Sequence, residues 1–494
     1  MKSAALLVAL FAIPCPAQST RPIQAIRLDS QNPHYFRYDG KTIALVTSGE
    51  HYGSVINQDF DSRVYLDTLK ADGLNFTRIF GGSYVEVPGA SFGIKHNTLA
   101  PTANRVILPW ARSNEPGYSG GGNRFDFDKW NPEYFRRLHD FLSDAERRGI
   151  VVEISLFSSQ YGEPQWKLSP FHPANNVNHT AVTDYKKVNT LDNGNVLGYQ
   201  EQYVRKLVHE ANAYPNVIFE IQNEPWSDHP VLTTVVNPYL FPPARDQYPN
   251  SIEVADDASV AWQTRVAQWI TSEESSLPNK HLIAQCYANF GLPVRSLVPG
   301  ASIINFHYAY PVAVSLNYGL GKAIAYDETG FLGTSDDVYR RQAWNFMLSG
   351  GSTFDALDYS FTAGHPDGTE SAPNGPGGGS PEFRKQLAIL QGFLQKLPLA
   401  ETLPDPNVVV HADGVTSHAL SSTSKGIYAV YLDGNGPSRV ELSLPAGAYT
   451  GEWINTVTGE STVIPAFKTG RGAHALSSPS FTNGIALRVS RRLY

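Results

Sequence analysis

The sequence predicts a (β/α)8 TIM barrel followed by a small all-β sandwich domain, and three observations carry that prediction. Eight short apolar runs recur between residues 42 and 359, with helix-period segments between most of them; strands that alternate with helices build a parallel sheet. Helix-to-strand connections are brief ("ADGL", "ERRG", "AYPN"), whereas several strand-to-helix connections are long. Long loops gathered at the strand C-termini occupy the face where barrel enzymes place their sites. After Pro404 the helical period vanishes and short alternating strands take over ("GIYAVYLDG", "RVELSLP", "GIALRVS"), as in a sandwich.

In chain order, strands are expected at 42–48, 75–80, 150–157, 216–223, 281–286, 302–308, 322–328 and 352–359. Helices are expected at 61–73, 131–149, 199–214, 260–275, 336–348 and 381–397. The second is the strongest, with Asn131 as cap and Gly149 as stop. The barrel is read as 24–397, the proline-punctuated "LPLAETLPDPN" as linker, and 404–494 as the sandwich. A doubly wound open sheet is the alternative, but no glycine-rich phosphate fingerprint follows the first strand.

The first residues, "MKSAALLVALFAIPCPAQST", pair a lysine with an apolar run too short to span a bilayer and with small residues before position 18. They read as a signal peptide, 1–17, and place the protein outside the cytoplasm, secreted or periplasmic. A lipid anchor at Cys15 is a poorer fit, because Pro14 precedes it. The cleaved chain keeps one cysteine, Cys286, so its core rather than a disulfide must hold it together. The formal net charge of -7 is spread without blocks, which argues against nucleic-acid partners. The expected partner is a carbohydrate, with no membrane contact after cleavage, and the chain is expected to be a monomer.

Candidate chemistry lies at the strand ends. The first closes on Ser48-Gly49-Glu50-His51-Tyr52, the second carries Arg78, the fourth closes on Asn223-Glu224-Pro225-Trp226, the sixth on His307-Tyr308 and the seventh on Asp327-Glu328. Glu224 and Glu328 would face each other across the barrel. Two carboxylates flanking a bond are what glycoside hydrolysis needs. Arg78 would keep one ionised, and burial with a neighbouring negative charge would raise the other. No Cys/His cluster has zinc spacing, so neither metal nor other cofactor is expected. The glycine-rich "NGPGGGSPEF" reads as a flexible loop over the rim, and Trp110 and Trp166 serve equally well as core or as sugar platforms.

With those residues in barrel order, "IFEIQNEP" and "IAYDETGF" resemble the glycoside hydrolases of clan A, closest to family 5. The resemblance covers roughly residues 30 to 397. It implies that Glu224 is the acid/base, Glu328 the nucleophile and Asn223 a ligand for the sugar 2-hydroxyl, with Arg78 and His307 beside the pair. The segment "NPHYFRYDGKTIALVTSGEHYG" also resembles the start of a bacterial branch of these hydrolases and ties Glu50 and His51 to the pocket only loosely, while Tyr308 and Trp226 are read from their positions as further substrate contacts. Two features depart from the family pattern. Ala309 stands where a tyrosine two residues after the histidine is expected, leaving Tyr308 and Tyr310 as rivals. Phe157 and Ser158 stand where a strand-three histidine is expected. The reading is a hydrolase of β-linked glycans; a non-catalytic carbohydrate-binding protein on the same scaffold, or a transglycosylase, are the alternatives.

Overall fold

The structure is a computed structural model, and it describes residues 24–234, 251–371, 375–470 and 472–492. The expected leader at 1–17 lies outside the described residues.

Eight parallel strands form the central sheet. They are β1 (Leu45–Gly49), β2 (Phe76–Phe80), β3 (Val151–Ser158), β4 (Val217–Asn223), β5 (Leu282–Asn289), β6 (Ile303–His307), β7 (Ala323–Glu328) and β8 (Thr353–Leu357). The ladder runs β1-β8-β7-β6-β5-β4-β3-β2. At the seam between β1 and β2 the Asn75 N–H donates to the Val46 carbonyl at 3.3 Å, and the Asn75 side chain completes the pairing. Asn75 accepts from the Val46 N–H at 2.9 Å and donates to the Ala44 carbonyl at 2.9 Å. The barrel therefore closes through an amide that mimics a backbone pair.

The helices are α1 (Ser62–Ala71), α2 (Pro132–Arg148), α3 (Val196–Ala211), α4 (Asp257–Glu274), α5 (Pro311–Asn317), α6 (Asp336–Met347) and α7 (Pro381–Leu394). Asn131 caps α2 by accepting from the Glu133 N–H, and Gly149 ends it with φ 72, a left-handed turn that only glycine adopts without strain. The short helix α5, between β6 and β7, has no counterpart among the expected helices.

Polarity is layered inside the barrel. At its N-terminal end, Leu45, Phe76, Val151, Ile218, Leu282 and Ile303 are buried against Ile26, Phe36 and Tyr38. Phe36 and Tyr38 belong to a three-stranded sheet that precedes the barrel, and Ile26 stands just before its first strand. It splits the single run expected at 42–48: Lys41–Ile43 pairs within the small sheet, and the barrel strand starts only at Leu45. Toward the C-terminal end the inward positions turn polar.

Two hairpins occupy the long loops, Trp110–Pro116 with Asn123–Trp130 and Pro230–Thr234 with Ser251–Ala255. Their mixed exposure hides the strand period from a sequence pattern. The glycine-rich segment is not a loose flap: a Cβ on Gly379 would come within 2.1 Å of Asp358 Oδ1, so glycine is there because the chain packs tightly.

Beyond the barrel, a six-stranded sheet that includes Thr416–Ser422, Ile427–Asp433 and Ile485–Arg491 faces a three-stranded one, with Val430, Leu432, Leu442, Trp453 and Leu487 between them. The larger sheet docks on α6. Trp344 stacks on Tyr431, and Asp433 accepts from Arg341 at 2.7 Å and from Asn345 at 2.9 Å.

Candidate active site

Six strands place a polar side chain in one layer of the barrel: Arg78 from β2, Glu153 from β3, Glu220 from β4, Asn305 from β6, Asp327 from β7 and Asp355 from β8, all essentially solvent-free. A buried charge needs a partner. Arg78 donates through Nε (3.1 Å) and Nη2 (2.5 Å) to Glu220 Oε2. Asn305 bridges Glu153 Oε1 and Glu220 Oε1 at 2.8 and 3.1 Å. Burial, then the charges of Glu220 and Asp327, push Glu153 well above the carboxylate range. Glu220 thus supplies the main counter-charge, and Glu153 holds a proton. An acid at the centre of "VVEIS" or "VIFEI" was the signal for this layer, since a charge inside an apolar strand implies a partner inside the barrel.

Above this layer, Arg78 reaches the catalytic candidates. Nη2 donates to Asn223 Oδ1 at 2.7 Å and Nη1 to Glu328 Oε2 at 3.4 Å. Glu328 Oε2 also accepts from Tyr52 Oη at 3.2 Å. Asn223 in turn donates from Nδ2 to Tyr161 Oη at 2.6 Å.

Tyr308 decides how the two glutamates relate. Its hydroxyl lies 2.9 Å from Glu224 Oε1 and 3.1 Å from Glu328 Oε1. His307 Nδ1 is 3.0 Å from Glu224 Oε1 and 3.5 Å from Glu328 Oε1. The glutamates therefore meet at one hydroxyl and one imidazole, with an oxygen of each within 4.8 Å of the other. Of the rival tyrosines, Tyr308 is the one at the carboxylates; Tyr310 stacks on Phe290.

The two carboxyls are pulled in opposite directions. Burial raises Glu224, but the His307 hydrogen bond and charge, then the Tyr161 and Tyr308 hydroxyls, outweigh it and hold the carboxyl below its usual value. Burial also raises Glu328, and there His307 and Arg78 do not overcome burial with the Glu224 and Asp327 charges, so it stays raised. His307 is pulled down by burial, but the charges of Glu328 and Asp327 oppose that and favour a raised imidazole.

The other expected residues divide. His51 reaches the cavity and pairs through Nε2 with Glu86 at 3.0 Å. Glu50 does not: it is buried behind the wall, accepting from Ser54 and Thr98. Trp226 is 1% exposed and meets His307 edge-on at 5.4 Å. It braces the imidazole from behind, so the expectation that it contacts substrate is corrected. Trp110 and Trp166 are core. Asp358 pairs with Arg384 at 2.8 Å, away from the pocket. Phe157 packs on Trp262, and Ser158 Oγ lies 3.5 Å from Asn223 Nδ2.

The pocket is a cavity of about 330 Å³ with the glutamate pair in its wall, lined by rings that include Tyr84, Phe92, Tyr161, Phe331 and Tyr359. Backbone strain gathers around it. Tyr52, Phe92, Tyr161, Glu224, Tyr308 and Phe331 all have φ between 45° and 64°. Non-glycine residues persist in that region only where the surroundings enforce it, and such residues cluster at functional sites. The strain was not legible in sequence; Tyr52 was read there only as part of the first strand's end, and Tyr161 and Glu86 were not singled out.

Among the described residues, Glu220, Cys286, His307 and Asp327 bring metal-type donor atoms within 4.8 Å of one another. The Arg78 guanidinium already lies against Glu220 and 3.8 Å from Asp327, and burial pushes the Cys286 thiol up to about 12. A neutral thiol beside a resident guanidinium is a poor fit to a second cation.

No protein-family model and no curated protein matches the sequence. Solved structures do match the fold. A glycoside hydrolase superposes with a TM-score of 0.60 at 12% identity, over 95% of this chain and 97% of that one. A glycoside hydrolase family 5 protein from Bacteroides vulgatus gives 0.60 at 12%, over 94% of each chain. At such identity the likeness establishes the architecture, a (β/α)8 barrel with an appended β domain; the site must argue for itself.

Proposed function

We propose that the protein is a retaining glycoside hydrolase acting on β-linked glycans. The observation that carries the reading is the Glu224–Tyr308–Glu328 arrangement: two carboxylates from β4 and β7, joined at one hydroxyl in the wall of a pocket. Retaining enzymes hold their carboxyls about 5–5.5 Å apart, and inverting ones about 6.5–9.5 Å, to admit a water. A closest oxygen separation within 4.8 Å favours the shorter class. The solved structures that share the fold are glycoside hydrolases, which supports the same reading.

In this mechanism Glu328 attacks the anomeric carbon while Glu224 gives its proton to the departing glycosidic oxygen. A water then loses a proton to Glu224 and attacks the same carbon, freeing Glu328. The first step needs the shared proton on Glu224. The Tyr308 hydroxyl between the two oxygens gives the proton a path to it. Secretion belongs to the proposal too: the protein recovered outside the cytoplasm should begin at Gln18.

A 2-fluoro-glycoside should label Glu328, as found by peptide mapping. Glu328→Gly should be nearly inactive, and azide should restore turnover of an activated substrate. Glu224→Ala should slow poor leaving groups about 10²–10⁴-fold and activated aryl ones far less. Label on Asp327, or an inverted product, would overturn the assignment.

A further inference from the structure

Among the described residues lining the cavity, only His51 and Glu86 are charged besides the glutamate pair. Both are more than nine-tenths buried. They do not serve the pair directly. Glu86 Oε2 accepts from His51 Nε2 at 3.0 Å and from Asn97 Nδ2 at 2.6 Å. Both bonds fall on one oxygen, and an ionised carboxylate accepts about four in all. Burial opposes ionisation of Glu86, but the His51 charge and hydrogen bond, with those of Ser91 and Asn97, hold its carboxyl below the usual range. Eight of the residues that line the cavity are Phe or Tyr, so a fixed carboxylate among them stands out as a point of recognition rather than of packing.

The wall also has a direction. Phe92, from the loop after β2, meets Phe331, from the loop after β7, at 5.8 Å, and Tyr359, after β8, at 6.5 Å. β7, β8, β1 and β2 are consecutive around the barrel, so these rings join the loops on the side that carries His51 and Glu86. A cavity of about 330 Å³ is at the small end of the range for small-molecule sites, about 300–1,000 Å³. Among the described residues it has room for one or two sugar rings.

We propose that Glu86, positioned by His51, is the specificity-determining residue of this site. It accepts hydrogen bonds from hydroxyls of one uncharged terminal sugar unit, so that the enzyme trims chain ends and rejects a uronic acid there. The inference rests on the glycoside hydrolase reading. An anionic sugar would meet Glu86 and the catalytic pair at once, and like charges in a dry pocket are costly.

The test compares wild type, Glu86→Gln and Asn97→Ala on neutral 4-nitrophenyl β-glycosides, on the matching uronides and on an end-labelled oligosaccharide. Wild type should prefer the neutral glycoside and shorten the oligosaccharide one end unit at a time. In Glu86→Gln, kcat/KM on the neutral glycoside should fall about 10- to 100-fold, mostly through KM, and the bias against the uronide should shrink. Asn97→Ala should shift both in the same direction and by less. Labelling of Glu328 in each variant shows that the pocket is intact. Turnover with Glu328 labelled, but with an unaltered neutral-to-uronide ratio in Glu86→Gln or with mid-chain cleavage by wild type, would overturn this inference alone. A wild type that neither hydrolyses any glycoside nor takes the label would overturn the functional reading with it.

Discussion

Replacing Tyr308 by phenylalanine removes one oxygen from the point where both glutamates meet. Burial and the charges of Glu224 and Glu328 hold the Tyr308 phenol well above its usual range, so it stays a donor throughout the working pH. A single hydroxyl proton can serve only one carboxylate at a time, so the 2.9 and 3.1 Å contacts imply one proton shared over the pair. A hydrogen bond to a charged group contributes about 1.5–3 kcal/mol. At about 1.4 kcal/mol per pKa unit, its loss should raise the lower apparent pKa of the pair by about one to two units. The sign follows from the donor: Tyr308 stabilises the ionised form, so ionisation comes later without it. In Tyr308→Phe the acidic limb of kcat/KM should move up and the bell should narrow, while the maximum falls about 10- to 100-fold. The assay is a pH profile on an activated aryl glycoside, with Tyr310→Phe as comparison. An acidic limb that stays in place while the rate falls would refute the shared-proton argument.

Arg78→Met should destabilise the barrel by about 3–5 kcal/mol in urea, because Glu220 loses its buried counter-charge. Glu220→Gln should cost less, since Glu153, 3.7 Å from Arg78, can then ionise in its place; equal losses would count against a proton on Glu153. Asp228 accepts from the Gln160 and Tyr161 N–H groups, and burial raises it to about 6. With the folded value above the unfolded one, its contribution is complete below about pH 4 and is lost as pH rises through 6. Stability of Asp228→Asn relative to wild type should therefore improve across that window, by up to roughly 3 kcal/mol; a flat difference in urea melts between pH 4 and 7 would contradict this. Truncation after Leu397 uncovers Trp344, Arg341 and Asn345 on α6, and should lower the melting temperature by several degrees or cost solubility. Unchanged melting together with lost binding to insoluble polysaccharide would make the sandwich a binding module instead.

The sequence by itself determined the architecture and the chemical ends of its strands. Period-2 and period-3.6 patterns report which face of an element is buried, and that is local information. It located β4 and β7 to within a residue or two and brought Glu224 and Glu328 to the same end of the barrel. It could also have flagged Glu153 and Glu220, which interrupt apolar strands. Tertiary structure alone decided the rest. Glu86 and Tyr161 sit in long loops without period, and enter the pocket only because the loops after β2 and β3 fold back over the barrel. Trp226 and Glu50, which read as substrate contacts, were turned behind the wall by packing against His307 and by hydrogen bonds to Ser54 and Thr98. The order of protonation was beyond the sequence for the same reason. Which glutamate holds the proton depends on the reach of His307 and Tyr308, which only the folded chain sets, and on burial, which strengthens every charge interaction in the site.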